Sequence, residues 1–447
     1  MASSRKPAAA KLQEHVHQAL IGYLETGRRL CLALSGGVDS VALLDILDGF
    51  RRTLDFSLSA VHVHHHLSPH ADAWAAFCVR LCAARDIPLH VARVRVRRRR
   101  ELGPEAAARE ARYRVLLAQP ADYVVLAHHL DDQVETVFLN LLRGSGVRGL
   151  AGMPAVRKAG GPRLLRPLIT VPRAVILAYA KQRQLSWVED ESNRDTRLLR
   201  NFLRRNVLPL IESRFPAYRE AVLRASEHLA EADSLLDELG ALDLARHGRD
   251  GRLEVAGLAA LSAPRAKNLL RVFFQAQGAP MPDAARLHEM WRQLLSAAAD
   301  ARIEIPWGDF VLRRYRGQAW VENRRPLPSQ EWRQAWHGES RLKLPELGCV
   351  LECERTLGAG LSSRMVENHA LELRLRRGGE RLRPDCRGPR RSLKNLLQEA
   401  GVPPWLRTRL PLLWSGDTLV AVPGIGVDCG WQAAPNEVGL ALRVGPL

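Results

Sequence analysis

Apolar positions in the first third of the chain come as short runs separated by longer stretches with helical spacing. Leu30 to Leu34 is one such run, closed by a glycine pair, and Val41 to Leu47 after it reads as a helix. Leu58 to Val63 predicts a second strand, backed by a helix through Trp74, Phe77, Val79 and Leu81. Leu89 to Val96 and Glu105 to Leu117 repeat the pair, and Tyr123 to Ala127 leads into a helix from about Asp131 to Leu142. Strands and helices alternating at this spacing predict an α/β fold, a doubly wound parallel sheet with helices on both faces. Ligands of such sheets lie beyond the carboxyl ends of the strands. Ser35 to Ser40 and His128 to Asp132 both fall there.

The pattern changes after Phe215-Pro216. Residues 217–300 are rich in Ala, Leu and Glu with helical periodicity, which predicts a helical second domain. Arg324 to Glu346, with Pro326, Pro328 and Pro345, reads as a linker. The last hundred residues mix short strand-like runs with one helix near Ser392 to Ala400, the pattern of a small α+β domain. The expected divisions are 1–216, 217–323 and 347–447, with no internal repeat.

Ser35-Gly36-Gly37-Val38-Asp39-Ser40 joins a buried strand to a helix. Its glycines let the backbone approach a phosphate, and the helix start offers free N–H groups and a positive dipole end. Ser35 and Ser40 add hydroxyl donors. Asp39 would repel a bare phosphate, so it argues for a bridging Mg²⁺. The loop has neither the lysine of the kinase-type P-loop nor the dinucleotide G-x-G-x-x-G spacing. It resembles the signature of the PP-loop ATP pyrophosphatases, which cleave ATP between the α and β phosphates.

A second cluster, Ala127 to Thr136, follows the fourth strand. If the helix starts near Asp131, Asp132 and Glu135 share a face and suit either Mg²⁺ or a cationic amine. His62-Val63-His64-His65-His66 splits between two faces of a strand and has no metal-ligand partner at the right spacing, so it reads as nucleotide-pocket lining. Arg97 to Arg100 reads as a solvated run.

Composition narrows the partner. The 447 residues carry 66 Lys and Arg against 48 Asp and Glu, a net charge of +18. That excess, dominated by Arg, suits a polyanion such as nucleic acid. No apolar run reaches the ~18 residues that span a bilayer, and no signal-peptide core follows the first residues; a cytoplasmic protein with no membrane partner is expected. The seven cysteines show no C-x2-C pair, so all seven are expected to be reduced.

The chain resembles the bacterial tRNA(Ile)-lysidine synthetase family almost end to end. The matching segments are Ser35 to Ser40, His62 to Ser68, Ala108 to Tyr113, Ala127 to Thr136, Leu142 to Gly146, Gly149 to Met153, Glu189 to Asn193 and Arg200 to Arg204. The C-terminal match covers Gly401 to Arg407, Pro411 to Leu413 and Pro423-Gly424. Where the family often has adjacent lysines, this chain has Lys394-Asn395, with Arg390 and Arg391 alongside.

The resemblance implies a two-step ligation. ATP adenylates the C2 carbonyl oxygen of the wobble cytidine in the CAU-anticodon isoleucine tRNA, and free L-lysine then displaces AMP. The product reads AUA in place of AUG. The resemblance implies that Ser35, Gly36, Gly37, Val38, Asp39, Ser40, His62 and Arg112 bind ATP, with Mg²⁺ at Asp39. Arg109 and Arg112 clamp phosphate, and Asp132 and Glu135 take the lysine ammonium or the metal. A nearby carboxylate or His129 is the base. Asn193, Arg200, Asn201, Arg204, Arg391, Lys394 and Arg407 are expected to contact tRNA, and a homodimer is left open. The rival readings are another PP-loop tRNA enzyme, such as a thiolase, and a non-catalytic RNA-binding protein.

Overall fold

Side-chain alternation along the strand before the phosphate loop builds two cores at once. In the computed structural model, Leu30, Leu32 and Leu34 enter one buried cluster with Leu12, Val16, Leu43 and Tyr179. Cys31 and Ala33 enter another, with Val61, Leu116 and Val124. A strand buried on both faces belongs to a parallel sheet covered by helices on each side. The structure describes residues 8–66, 68–95, 104–158, 160–298, 303–324 and 326–446; the arginine run at 97–100 lies outside them.

The chain forms two compact units, Met1–Leu236 and Asp237–Leu447. The first holds strands β1 Arg28–Ala33, β2 Phe56–His64, β3 Leu89–Arg93, β4 Tyr123–Val125, β5 Val156–Arg157 and β6 Arg163–Leu165. Their order is β3-β2-β1-β4-β6-β5, parallel except for the β5–β6 pair. Its helices are α1 Ala8–Ile21, α2 Val38–Phe50, α3 Ala71–Ala83, α4 Pro104–Leu117, α5 Leu130–Leu142, α6 Val147–Leu150, α7 Arg173–Gln182, α8 Leu199–Phe202 and α9 Leu208–Arg214. Strand order reverses between β1 and β4, and the crevice at such a switch point is where ligands bind. The loop after β1 and the acidic start of α5 after β4 flank it.

The division between units falls inside α10 Tyr218–His247. The second unit opens on helices, as the periodicity predicts: α11 Val255–Ala259, α12 Ala263–Ala276 and α13 Ala284–Ser296. Beside them stands an antiparallel sheet of β7 Gly248–Arg249, β8 Arg252–Glu254, β9 Ile303–Trp307, β10 Phe310–Tyr315 and β11 Gln318–Asn323, ordered β7-β8-β11-β10-β9. Segment 217–323 is therefore more than helical; its strands are short and joined by tight turns, which a helical window averages away.

The expected linker is corrected as well. Arg333–Trp336 and Arg341–Leu344 are strands, the first paired with Leu371–Arg374 and the second with Cys349–Leu357. Trp336 and Leu344 are core residues; Pro345 directly follows the second strand, where a missing N–H costs little. The expectation of seven reduced cysteines also fails, because Cys386 and Cys429 form a disulfide across 43 positions. The other five are free.

Candidate active site

Gly36 turns the chain out of β1 with φ of +88°, a conformation that favours glycine. A Cβ there would sit 2.9 Å from Val188 Cγ2 and 3.2 Å from Cys78 Sγ. The loop then closes on itself. Ser40 donates its hydroxyl to the Gly37 carbonyl at 2.9 Å, the Ser35 and Ser40 hydroxyls lie 3.0 Å apart, and the Gly37 N–H donates to Ser35 Oγ at 3.3 Å. The first helical N–H to reach a carbonyl is that of Val41, on Gly37 O at 3.0 Å. The preceding amides at the start of α2 are left for a ligand, as at any helix N-terminus.

Asp39 stands in the first turn of α2. Its Oδ1 is buried and has no hydrogen-bond partner. Arg173 Nε lies 3.6 Å from that oxygen, and His129 Nε2 lies 3.8 Å from Oδ2. Burial pushes the Asp39 carboxyl upward, against the pull of His129 and Arg173. An orphaned carboxylate oxygen beside a phosphate loop fits a hard divalent cation such as Mg²⁺.

A cavity of 470 Å³ opens beside the loop, lined among others by Ser35, His62, His65, Ser68, Trp74 and Arg112, within the usual range for a small-molecule site. His62 Nδ1 faces the Leu34 carbonyl at 2.9 Å. A carbonyl only accepts, so the ring proton sits on Nδ1, and burial pushes the imidazole pKa down. His62 and Arg112 thus meet Ser35 around one space. Arg109 is exposed on α4 and lies over the Tyr113 ring, 5.0 Å from its centroid.

The acidic helix start is closed more tightly than the sequence suggests. His129 caps α5: its Nδ1 accepts from the Asp132 N–H at 3.4 Å, while Asp132 Oδ2 accepts from the His129 N–H at 3.2 Å. The ring is 2% exposed, and Nε2 lies 3.5 Å from Asp132 Oδ2. Both ring nitrogens are committed, which argues against His129 as a free base. Glu135 is fully buried at 0% and held by two bonds from Arg204, at 2.5 and 3.0 Å, with Arg200 Nε at 3.3 Å. Burial pushes the Glu135 carboxyl up. Asp132 is held below its ordinary range: burial would raise it, but His129, His128, Arg200 and Arg204 outweigh that.

The residues assigned to tRNA in the first unit divide. Asn193 is exposed. Asn201 is buried and donates to the Ser192 and Asp195 carbonyls, both at 2.9 Å, which makes it a loop clamp. Arg200 and Arg204 turn inward to the α5 carboxylates. In the second unit Arg391 and Lys394 are exposed, with Arg391 paired to Glu399, while Arg407 is half-buried and donates to the Val402 carbonyl at 2.7 Å.

Three side chains escape sequence reasoning. Arg173 reaches Asp39, and its backbone N–H donates to Asp131 Oδ2 at 2.8 Å. Arg166, 2% exposed, donates to His128 Nδ1 at 3.2 Å and to the Pro154 carbonyl at 2.8 Å. His128 therefore carries its proton on Nε2, and burial beside Arg112 and Arg166 pushes its pKa down to about 3. Arg166 follows β6 and Arg173 opens α7, places too common for an arginine to be singled out, and His128 was legible as part of the segment after β4 but not in its pairing with Arg166.

The parallel sheet, the glycine turn after β1 and the orphaned carboxylate at its switch point define a PP-loop nucleotide-binding domain. Family models agree: a PP-loop domain matches residues 5–211, a TilS substrate binding domain 253–320 and a TilS substrate C-terminal domain 371–444. The tRNA(Ile)-lysidine synthase of Nitrosomonas europaea is 43% identical over 100% of this chain and 98% of its own length. That of Azoarcus sp. strain BH72 is 44% identical over 97% and 94%. The chain belongs to the tRNA(Ile)-lysidine synthase family. Among solved structures, the U34-tRNA thiolase NcsA from Methanococcus maripaludis with its 4Fe-4S cluster aligns over 50% of this chain and 80% of its own, with 18% identity and a TM-score of 0.44.

Proposed function

We propose that this protein ligates free L-lysine to C2 of the wobble cytidine in the CAU-anticodon isoleucine tRNA, consuming ATP and releasing pyrophosphate and AMP. The observation that carries the reading is the placement of Asp39, with its orphaned oxygen, between the phosphate loop and the α5 carboxylates. The α2 amides and the Ser35 and Ser40 hydroxyls cradle the phosphates, and Arg112 reaches them from the cavity wall. Asp39 is the residue that would hold Mg²⁺, which would supply positive charge to offset that on the departing pyrophosphate.

The cytidine O2 bonds to the α-phosphorus as the bond to pyrophosphate breaks. The lysine amine then bonds to C2, and AMP leaves with the oxygen. Asp132, less enclosed than Glu135, receives the incoming ammonium, whose proton passes to solvent before attack; the Arg204 guanidinium and the His129 N–H hold that carboxylate in place. The change from AUG to AUA decoding comes from the altered pairing edge of the base.

A sulfur-transfer reading needs a thiolate near the loop. Burial pushes the Cys78 thiol up to about 12 and the Cys82 thiol up to about 11, which disfavours it. The test mixes protein, ATP, Mg²⁺, radiolabelled lysine and transcripts of several tRNAs. Label entering only the CAU isoleucine tRNA supports the reading, and label in none of them defeats it. Asp39→Ala is expected to abolish turnover while tRNA binding, measured by filter retention, persists.

A further inference from the structure

The segment Gly401-Val402-Pro403-Pro404-Trp405-Leu406-Arg407 turns toward the sheet of the second unit. Trp405, on the short helix Pro404–Arg407, donates its Nε1 proton to Glu322 Oε1 on β11 at 2.8 Å. Its ring meets Tyr315 of β10 and Trp320 of β11 edge-on, each with centroids 6.0 Å apart. The Arg313 guanidinium lies 5.0 Å from its centroid. Arg407 donates to Tyr315 Oη at 3.2 Å, and Arg316 of the β10–β11 turn donates to the Gln398 carbonyl at 2.7 Å.

This joint is unlike a core. The three rings belong to neither the hydrophobic cluster of the sheet and its helices nor those of the C-terminal portion. Trp320 Nε1 and Arg313 Nε are buried there with no hydrogen-bond partner, and the Arg313 guanidinium is held between Glu304 and Glu322, so the contact is polar as well as aromatic. The joint also connects the two parts that match separate substrate-domain models. On the C-terminal side, residues 374–394 hold eight arginines and one lysine against Glu380 and Asp385; Arg377, Arg381, Arg387, Arg390, Arg391 and Lys394 are exposed, a surface that suits an RNA backbone.

We propose that Trp405 is a positioning residue: it locks the C-terminal portion onto the β10–β11 hairpin, so that the 374–394 basic segment stands at one fixed distance from the middle sheet. The lock acts as a ruler for RNA long enough to touch both parts. The proposal rests on tRNA being the substrate. Once the ruler is loose, the two contacts no longer reinforce each other, and linked contacts gain much of their affinity from a fixed spacing.

The test compares the wild-type protein, Trp405→Ala and Trp405→Phe on full-length CAU isoleucine tRNA and on its isolated anticodon stem-loop. Trp405→Ala is expected to raise KM for the full-length tRNA by about 10-fold or more, the low end of the loss when linked contacts decouple. Its kcat and its KM for the stem-loop should stay at wild-type values. Trp405→Phe keeps the edge-on packing and should restore most of the affinity. Proteolysis at the exposed Leu327 should quicken in the alanine variant. Equal losses on both RNAs, or on neither, overturn the ruler. Failure of the wild-type protein to modify any tRNA overturns the proposed reaction as well, and that outcome is separately visible.

Discussion

His128 illustrates how one partner decides the chemistry of a side chain. Arg166 cannot give up its charge, so the imidazole nitrogen facing it must accept, and the ring stays neutral. Because its folded pKa is about 3, against 6.5 for the free group, the unfolded chain takes up a proton below pH 6.5 that the native one refuses. The resulting stability is complete above pH 6.5 and is lost as pH falls toward 3, at about 1.4 kcal/mol for each unit. Wild-type protein should therefore melt progressively lower between pH 6.5 and 4.5, and His128→Gln less steeply. Parallel curves would remove the account. Such a pairing joins residues 38 positions apart, which is why only the fold reveals it. Asp39 and Asp132, in contrast, were legible because each sits beside its own glycines or strand.

At the scale of elements, the βα units could be read from apolar period alone, and the turn after β1 from its glycines. What spacing could not say was which way a polar residue faces. Arg204 and Asn201 stand in a segment whose charge suggests a surface, yet one pairs with Glu135 and the other clamps carbonyls. The phosphate turn offers a sharper test. Gly36→Ala puts a methyl group against Val188 and Cys78 at positive φ; a strained site of this kind costs about 1–3 kcal/mol. A melting temperature lowered accordingly, together with weakened ATP binding by calorimetry, is expected. Unchanged values for both would show that the turn relaxes freely.

Over the whole molecule, the net charge of +18 is spread across both units, and association with tRNA should depend steeply on salt. The logarithm of the binding constant should fall linearly with the logarithm of salt concentration, by about 0.7–0.9 for each phosphate contact. A flat response in filter binding from about 50 to 200 mM salt would oppose backbone recognition. Tertiary pairings beyond Pro326 were illegible for a related reason. Short strands such as Arg333–Trp336 depend on partners far along the chain, here Leu371–Arg374, and carry little local signature. The Cys386–Cys429 link was equally hidden, since spacing alone does not select a pair.

The two cores fed by β1 give the chain an uneven tolerance to copying errors. Replacing Leu32 by another aliphatic residue alters one cluster by a few atoms and leaves the other untouched. Inserting a single residue between Arg29 and Leu34 would reverse the side-chain parity of every later position in the strand, sending leucines to the face built for Cys31 and Ala33. The same slip would displace the glycine turn by about 3.3 Å. Lineages descended from this gene should therefore vary freely in the letters of β1 and hardly ever in its length.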